Sequence, residues 1–160
     1  MNKKQTANTS DNPIRVAAYI RVSSARQANE GDSLTAQRHE IEQEIDYRCH
    51  RDNWTVAHKD FYVDARESAK NQNRPQLQRL KRDIEDGKID VVICVKLDRL
   101  ARSLHQFVSL WQLFAKQKVD VISQREKFDT STPPSRAMLS LIMVFAHLER
   151  EMTAERRCRS

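Results

Sequence analysis

Lys96-Leu97-Asp98-Arg99-Leu100-Ala101-Arg102 follows directly on the apolar run Val91-Val92-Ile93-Cys94-Val95. A buried strand that empties into one carboxylate and two guanidiniums aims fixed positive charge at one place. Arginine carries a permanent charge and a planar fork of donors suited to phosphate oxygens. Arg99 and Arg102 are three residues apart, so a helix beginning here puts both on one face. Alone, the segment is better explained as a surface ion-pair cluster. A second short apolar run, Val16-Ala17-Ala18-Tyr19-Ile20, ends in Arg21-Val22-Ser23-Ser24. In a parallel α/β sheet, ligands gather outside the carboxyl ends of the strands. Arg21, Ser23, Asp98, Arg99 and Arg102 then converge at one rim, a serine hydroxyl among arginines.

A serine hydroxyl needs a base, a metal or strong stabilisation of developing charge before it attacks anything. The carboxylates near the strand ends are scattered, which argues against a magnesium site. Gly31 and Gly87 are the only glycines. That removes the strained nucleophile turn of an acyl hydrolase and the glycine loop of a nucleotide-dependent enzyme. The chemistry left is attack on a phosphodiester whose transition-state charge rests on guanidiniums, since phosphoryl transfer depends mainly on positioning and electrostatics. A phosphoserine ester conserves the energy of the broken bond, so the expectation is no cofactor and no metal.

The elements that must position this set are legible from the pattern. The chain has 160 residues, a formal charge of +6 and 39% hydrophobic residues, which fits one domain with one core. A pI near 9.4 and a mean hydropathy of -0.75 describe a basic, polar exterior that favours a polyanionic partner. Cys49, Cys94 and Cys158 are widely spaced and form no ligand or redox motif, which implies a reduced compartment, with Cys94 a core residue of its strand. No apolar stretch reaches the ~20 residues of a membrane helix, and no signal peptide is visible, so a soluble cytoplasmic protein is expected.

Residues 1–13 read as a flexible lead-in. Strands are expected at Arg15 to Val22, Trp54 to Val63, Ile89 to Val95 and Val119 to Ile122, with the polar stretch Asp64 to Asn73 breaking the second. A helix beginning near Ser33 runs through Gln37, Ile41 and Ile45. Pro75 opens another that buries Leu77, Leu80 and Ile84 and stops at Gly87, and Ser103 caps a third through Phe114. The alternation predicts an α/β fold, a mostly parallel sheet of four to five strands with helices on both faces. A long helix runs from Ser135 past Arg157, with Met138, Leu141, Phe145, Leu148 and Met152 along one seam. That seam packs either on a second subunit or on its own domain. Its far end, rich in charge, is either a solvated terminus or a basic tip for a phosphate backbone. Residues 135–160 read as the start of a longer element cut in mid-pattern.

Five motifs in order carry a resemblance: Tyr19-Ile20-Arg21-Val22-Ser23-Ser24, Ser33-Leu34-Thr35-Ala36-Gln37-Arg38, Asn73-Arg74-Pro75, the Lys96 to Arg102 segment, and Glu149-Arg150-Glu151 with Glu155-Arg156. Together they resemble the catalytic domain of serine recombinases, the resolvase/invertase family, over about Arg15 to Arg157. The spacing between Ser23 and Gln37 is more like the large integrases and transposon recombinases than the short resolvases. The resemblance implies a site-specific DNA recombinase that cuts and rejoins strands through a 5′-phosphoserine intermediate, in integration, excision, inversion or resolution. It assigns Ser23 as nucleophile, with Ser24 as the alternative attacker, and Arg21, Arg74, Arg99 and Arg102 as ligands of the scissile phosphate. Asp98 and Gln37 become partners that orient the cluster. Arg150, Arg156, Arg157 and Ser68 become DNA contacts, Glu155 a residue near the site or dimer contact, and Tyr19 a packing residue. The implied partners are double-stranded DNA and copies of the chain, a homodimer and a synaptic tetramer, at the nucleoid of a bacterial or phage system and away from membranes. Relatives place glycines around the serine that Ser68 matches, whereas this chain has Asp64-Ala65-Arg66-Glu67-Ser68-Ala69. The family's DNA-binding region lies beyond the long helix, so this stretch alone is expected to bind DNA weakly and not to recombine it. A binding module without chemistry is disfavoured by the intact serine and arginine set, and a small-phosphoester hydrolase by the missing glycine cradle.

Overall fold

The computed structural model describes residues 12–23, 33–66 and 74–159, with Ser23, Ala65 and Arg66 described through their backbone. Five strands form one sheet in the order β2-β1-β3-β4-β5: β1 (Ile14–Ser23), β2 (Val56–Arg66), β3 (Val91–Cys94), β4 (Asp120–Ser123) and β5 (Phe128–Asp129). The first four are parallel, and β5 pairs antiparallel with β4. The chain leaves β1 toward β2 on one side and returns to β3 on the other. The crevice beyond the carboxyl ends of β1 and β3 is therefore the topological switch point, where such sheets bind ligands.

Alternation along β1 divides the core in two. Val16, Ala18, Ile20 and Val22 meet Ile41 and Ile45 of α1 (Leu34–Arg51). Ala17 and Tyr19 face the opposite layer, where α2 (Pro75–Glu85), α4 (Leu104–Lys116) and the base of α5 (Pro133–Cys158) pack through Leu80, Ile84, Phe107, Phe114 and Leu139. Short β3 is buried along its whole length, as a parallel strand covered on both faces must be. Cys94, fully buried there, has its thiol pushed up to about 12 by burial.

The helix signals act as the sequence implies. Ser33 and Ser103 accept hydrogen bonds from the amides of Ala36 and Gln106 at 3.1 and 3.2 Å, Pro75 occupies the first turn of α2, and Gly87, at φ +70, turns the chain out of it. Three readings are corrected. The stretch at Asp64 does not break the second strand, because β2 keeps its pairing with β1 through Ala65 and Arg66. The long helix opens at Pro133, since two prolines suit a first turn whose N–H groups lack intrahelical partners. The segment after β3 forms one helical turn, α3 (Leu97–Leu100), so Arg102 lies outside it and shares no helix face with Arg99.

Candidate active site

Tyr19, Arg21 and Ser23 are successive same-phase positions on β1, and each step of two moves further past the end of β3, while β1 stays paired with β2 through Ser23. Arg21 Nη2 donates to the backbone oxygen of Asp98 at 3.3 Å. Arg74, arriving from the start of α2, donates to the next carbonyl, that of Arg99, at 2.5 Å. Both guanidiniums thus cap the carboxyl end of α3, whose last carbonyls have no intrahelical partner and which carries the negative end of the helix dipole.

Arg74 is held at three points. Its Nε and Nη2 donate to the Tyr19 hydroxyl at 3.0 and 2.8 Å, and its guanidinium carbon lies 5.2 Å from the centre of the Tyr19 ring. That hydroxyl donates in turn to Asp64 Oδ2 at 2.8 Å. The buried Asp64 carboxylate also accepts the amides of Gln76 and Leu77 at 2.9 and 3.0 Å. The N-cap position of α2 is Arg74, whose side chain makes no capping bond. Asp64 therefore caps α2 from the neighbouring strand, so one carboxylate fixes a helix start, a tyrosine and, through it, an arginine.

The net charge at this rim is positive. Burial, followed by the proximity of Arg74, Arg102 and Arg99, lowers the Arg21 pKa from its ordinary value. Arg21 Nε is buried and has no hydrogen-bond partner among the described residues. The carboxylate of Asp98 offsets little of this, being exposed and 3.8 Å from Arg99 Nε. Four guanidiniums around the end of the strand that carries Ser23, two of them (Arg21 and Arg74) held by carbonyls and a hydroxyl instead of acids, make an anion site suited to a phosphate.

The chain shares its fold and much of its sequence with known proteins. Residues 16–159 match the family model for the resolvase N-terminal domain. The chain belongs to the resolvase family. It is 37% identical to the N-terminal catalytic domain of TP901-1 integrase over 87% of this chain and 98% of that one, with a TM-score of 0.70. A resolvase family site-specific recombinase from Streptococcus pneumoniae is 29% identical, with 91% and 94% covered and a TM-score of 0.71. A "Probable DNA-invertase" of Sinorhizobium fredii is 32% identical over 89% of this chain, which spans 40% of that protein's length.

Within this resolvase domain, Arg21, Arg74, Arg99 and Arg102 gather at one rim. Gln37 is buried in the first turn of α1, at the same rim but on the opposite layer of the sheet. Asp98 reaches Arg21 through its backbone oxygen and not its carboxylate. Arg150 lies on α5 with Nη2 donating to His105 Nδ1 of α4 at 2.6 Å, while Arg156 and Arg157 are exposed further along. Ser24 and Ser68 fall outside the described residues. Among the described residues, no group of three or more His, Cys, Asp and Glu could hold a metal, and no helix is long and apolar enough to cross a membrane. The sequence reading missed Asp64 and understated Tyr19. The available signal was a helix opening Arg74-Pro75 without a capping side chain of its own, which requires an acceptor from elsewhere.

Proposed function

We propose that this chain is the catalytic domain of a site-specific DNA recombinase that cleaves and rejoins strands through Ser23. The Ser23 oxygen attacks the scissile phosphorus, the bond from phosphorus to the 3′ oxygen breaks, the serine proton is lost, and a proton goes to the departing oxygen to leave a 3′ hydroxyl. The 5′ phosphate stays esterified to the serine, so religation is the same exchange reversed. Arg21, Arg74, Arg99 and Arg102 stabilise the charge on the nonbridging oxygens, and Arg102, exposed at the rim, supplies the leaving-group proton. Gln37 and the Asp98 backbone orient the cluster. No step in this reading calls on a metal or a cofactor.

The observation that carries the reading is the charge imbalance at the rim: Arg21 is opposed by three other guanidiniums while its own bond goes to a carbonyl. Arg150, Arg156 and Arg157 on α5 contact the duplex backbone. The apolar seam of α5, where Met138, Leu141, Phe145 and Met152 are each more than half exposed, packs against a second copy of the chain, and pairs of such dimers hold two DNA sites. The likeness to an integrase catalytic domain supports the large-recombinase subgroup. The test is a nicked duplex that traps the cleaved state, incubated with the full-length protein and run on a denaturing gel. A covalent protein–DNA adduct is expected from the native protein and none from Ser23→Ala; adduct that persists in that variant overturns the assignment.

A further inference from the structure

The arginine rim opens sideways into a groove of about 710 Å³ between α2 and α4, lined by Arg74, Gln78, Lys81 and Arg82 on one wall and by His105, Gln106 and Ser109 on the other. Every formally charged side chain lining it is basic. Arg74, Gln78, Lys81 and Arg82 fall at i, i+4, i+7 and i+8, one face of α2, and at ~1.5 Å per residue they extend ~12 Å from the rim.

The two faces of α2 differ in how their charge is met. On the outer face, Arg79 lies 3.9 Å from Asp60 and 3.7 Å from Asp83, and nearby Lys88 pairs with Asp83 and Asp86 at 3.3 and 2.9 Å. Lys81 and Arg82 make no ion pair among the described residues. Evolution of a merely soluble helix has no need to neutralise one face and leave the other bare, whereas a cleft of a single sign concentrates counter-charge. The opposite wall adds neutral donors, and Arg150 reaches its edge through His105.

We infer that this groove is a binding track for the phosphodiester backbone of the DNA strand next to the scissile phosphate, with Lys81 and Arg82 as phosphate contacts. The inference rests on the proposed recombinase reading and adds the strand's path away from the chemistry. A duplex strand places a phosphate every ~3.4 Å along its axis, so ~12 Å of cationic helix spans about three phosphates. Arg74 then has two roles, gripping the scissile group on one side and opening the track on the other. Contacts of this kind set register and affinity without reading sequence.

The experiment measures binding of a fluorescently labelled short duplex of mixed sequence across a salt series, by anisotropy, for the native protein, for Lys81→Gln with Arg82→Gln, and for Arg79→Gln with Lys88→Gln. Both double variants remove two positive charges, so a general charge effect is matched between them. Each phosphate contact contributes ~0.9 to the slope of log affinity against log salt, so the groove variant is expected to lose about 2 from that slope while the outer-face variant keeps it. Equal slopes in the two variants, or a change of oligomeric state in the groove variant with the slope intact, overturn the inference. Circular dichroism melting confirms that both variants fold. The nicked-duplex trap reads the parent proposal separately: loss of Ser23-dependent adduct in the native protein defeats that proposal, whereas adduct with unchanged slopes defeats only the track.

Discussion

Two buried or half-buried arginines, Arg48 and Arg21, sit on opposite layers of one sheet and meet opposite company. Arg48, near the end of α1, is bound by Glu44, Asp52 and Asp129 at 2.8, 3.4 and 2.5 Å. Burial opposes its charge, but the hydrogen bonds to Glu44 and Asp129 outweigh that and raise its pKa. Arg21 is bound by a carbonyl and crowded by Arg74, Arg102 and Arg99, and its pKa is lowered. Arg48 is a complete electrostatic unit that stitches α1 to β5, whereas the Arg21 cluster carries positive charge that the proposed phosphate would balance. The difference separates an arginine kept for the fold from one kept for a ligand, and it is visible in the identity of the partners, not in burial.

The contrast is broken most severely by removing charge on each side in turn. Arg102→Ala, at an exposed position, is expected to lower adduct formation by about 10³-fold, as loss of a preorganised transition-state donor does, with the melting temperature unchanged. Arg48→Ala is expected to do the reverse: leaving Asp129 buried without its cation costs about 3 kcal/mol of stability, read by urea denaturation, while the folded fraction still cleaves. If Arg48→Ala reduced cleavage at full folding, the division would fail.

Two smaller changes sharpen the comparison at the joint between fold and site. Asp64→Asn keeps the shape but weakens the acceptor for Gln76, Leu77 and Tyr19, at about 2 kcal/mol, and it should lower adduct formation as Arg74 loosens. Tyr19→Phe removes one hydroxyl and is expected to cost about 1 kcal/mol near neutrality. Burial, then the balance of Arg74 and Asp64, raises the Tyr19 pKa above its ordinary 10.0. The stability tied to its neutral form is therefore complete below pH 10 and lost as pH rises through the higher folded value. The gap between native protein and Tyr19→Phe should accordingly close in alkaline denaturation curves.

Much of this was legible in the chain. The buried strands announced themselves as apolar runs, Ser33, Pro75, Ser103 and Gly87 marked helix ends through local backbone chemistry, and Arg21, Ser23, Asp98 and Arg99 were placed by the rule for parallel strands. What escaped was non-local. Asp64 caps a helix that begins eleven positions later in the chain and so looked like part of a polar loop. Arg102 left the face of Arg99 because α3 closes after one turn, a boundary marked only indirectly, by the Ser103 cap of the helix that follows. The bare cations of α2 carry meaning only beside their neutralised neighbours, and that pairing is fixed by β2, far away in sequence.

The root of α5 is bolted down. Asp129 accepts from Arg48 and from Ser131, and Thr130 bridges Asp120 and Val121 just before the helix starts. A rod of 26 residues fixed at one end is ~39 Å long, so a swing of ~10° about that root carries the tip ~7 Å. The hydrogen bond from Arg150 to His105 sits well out along the rod, so releasing it would convert a small adjustment near the root into a larger displacement of the basic end.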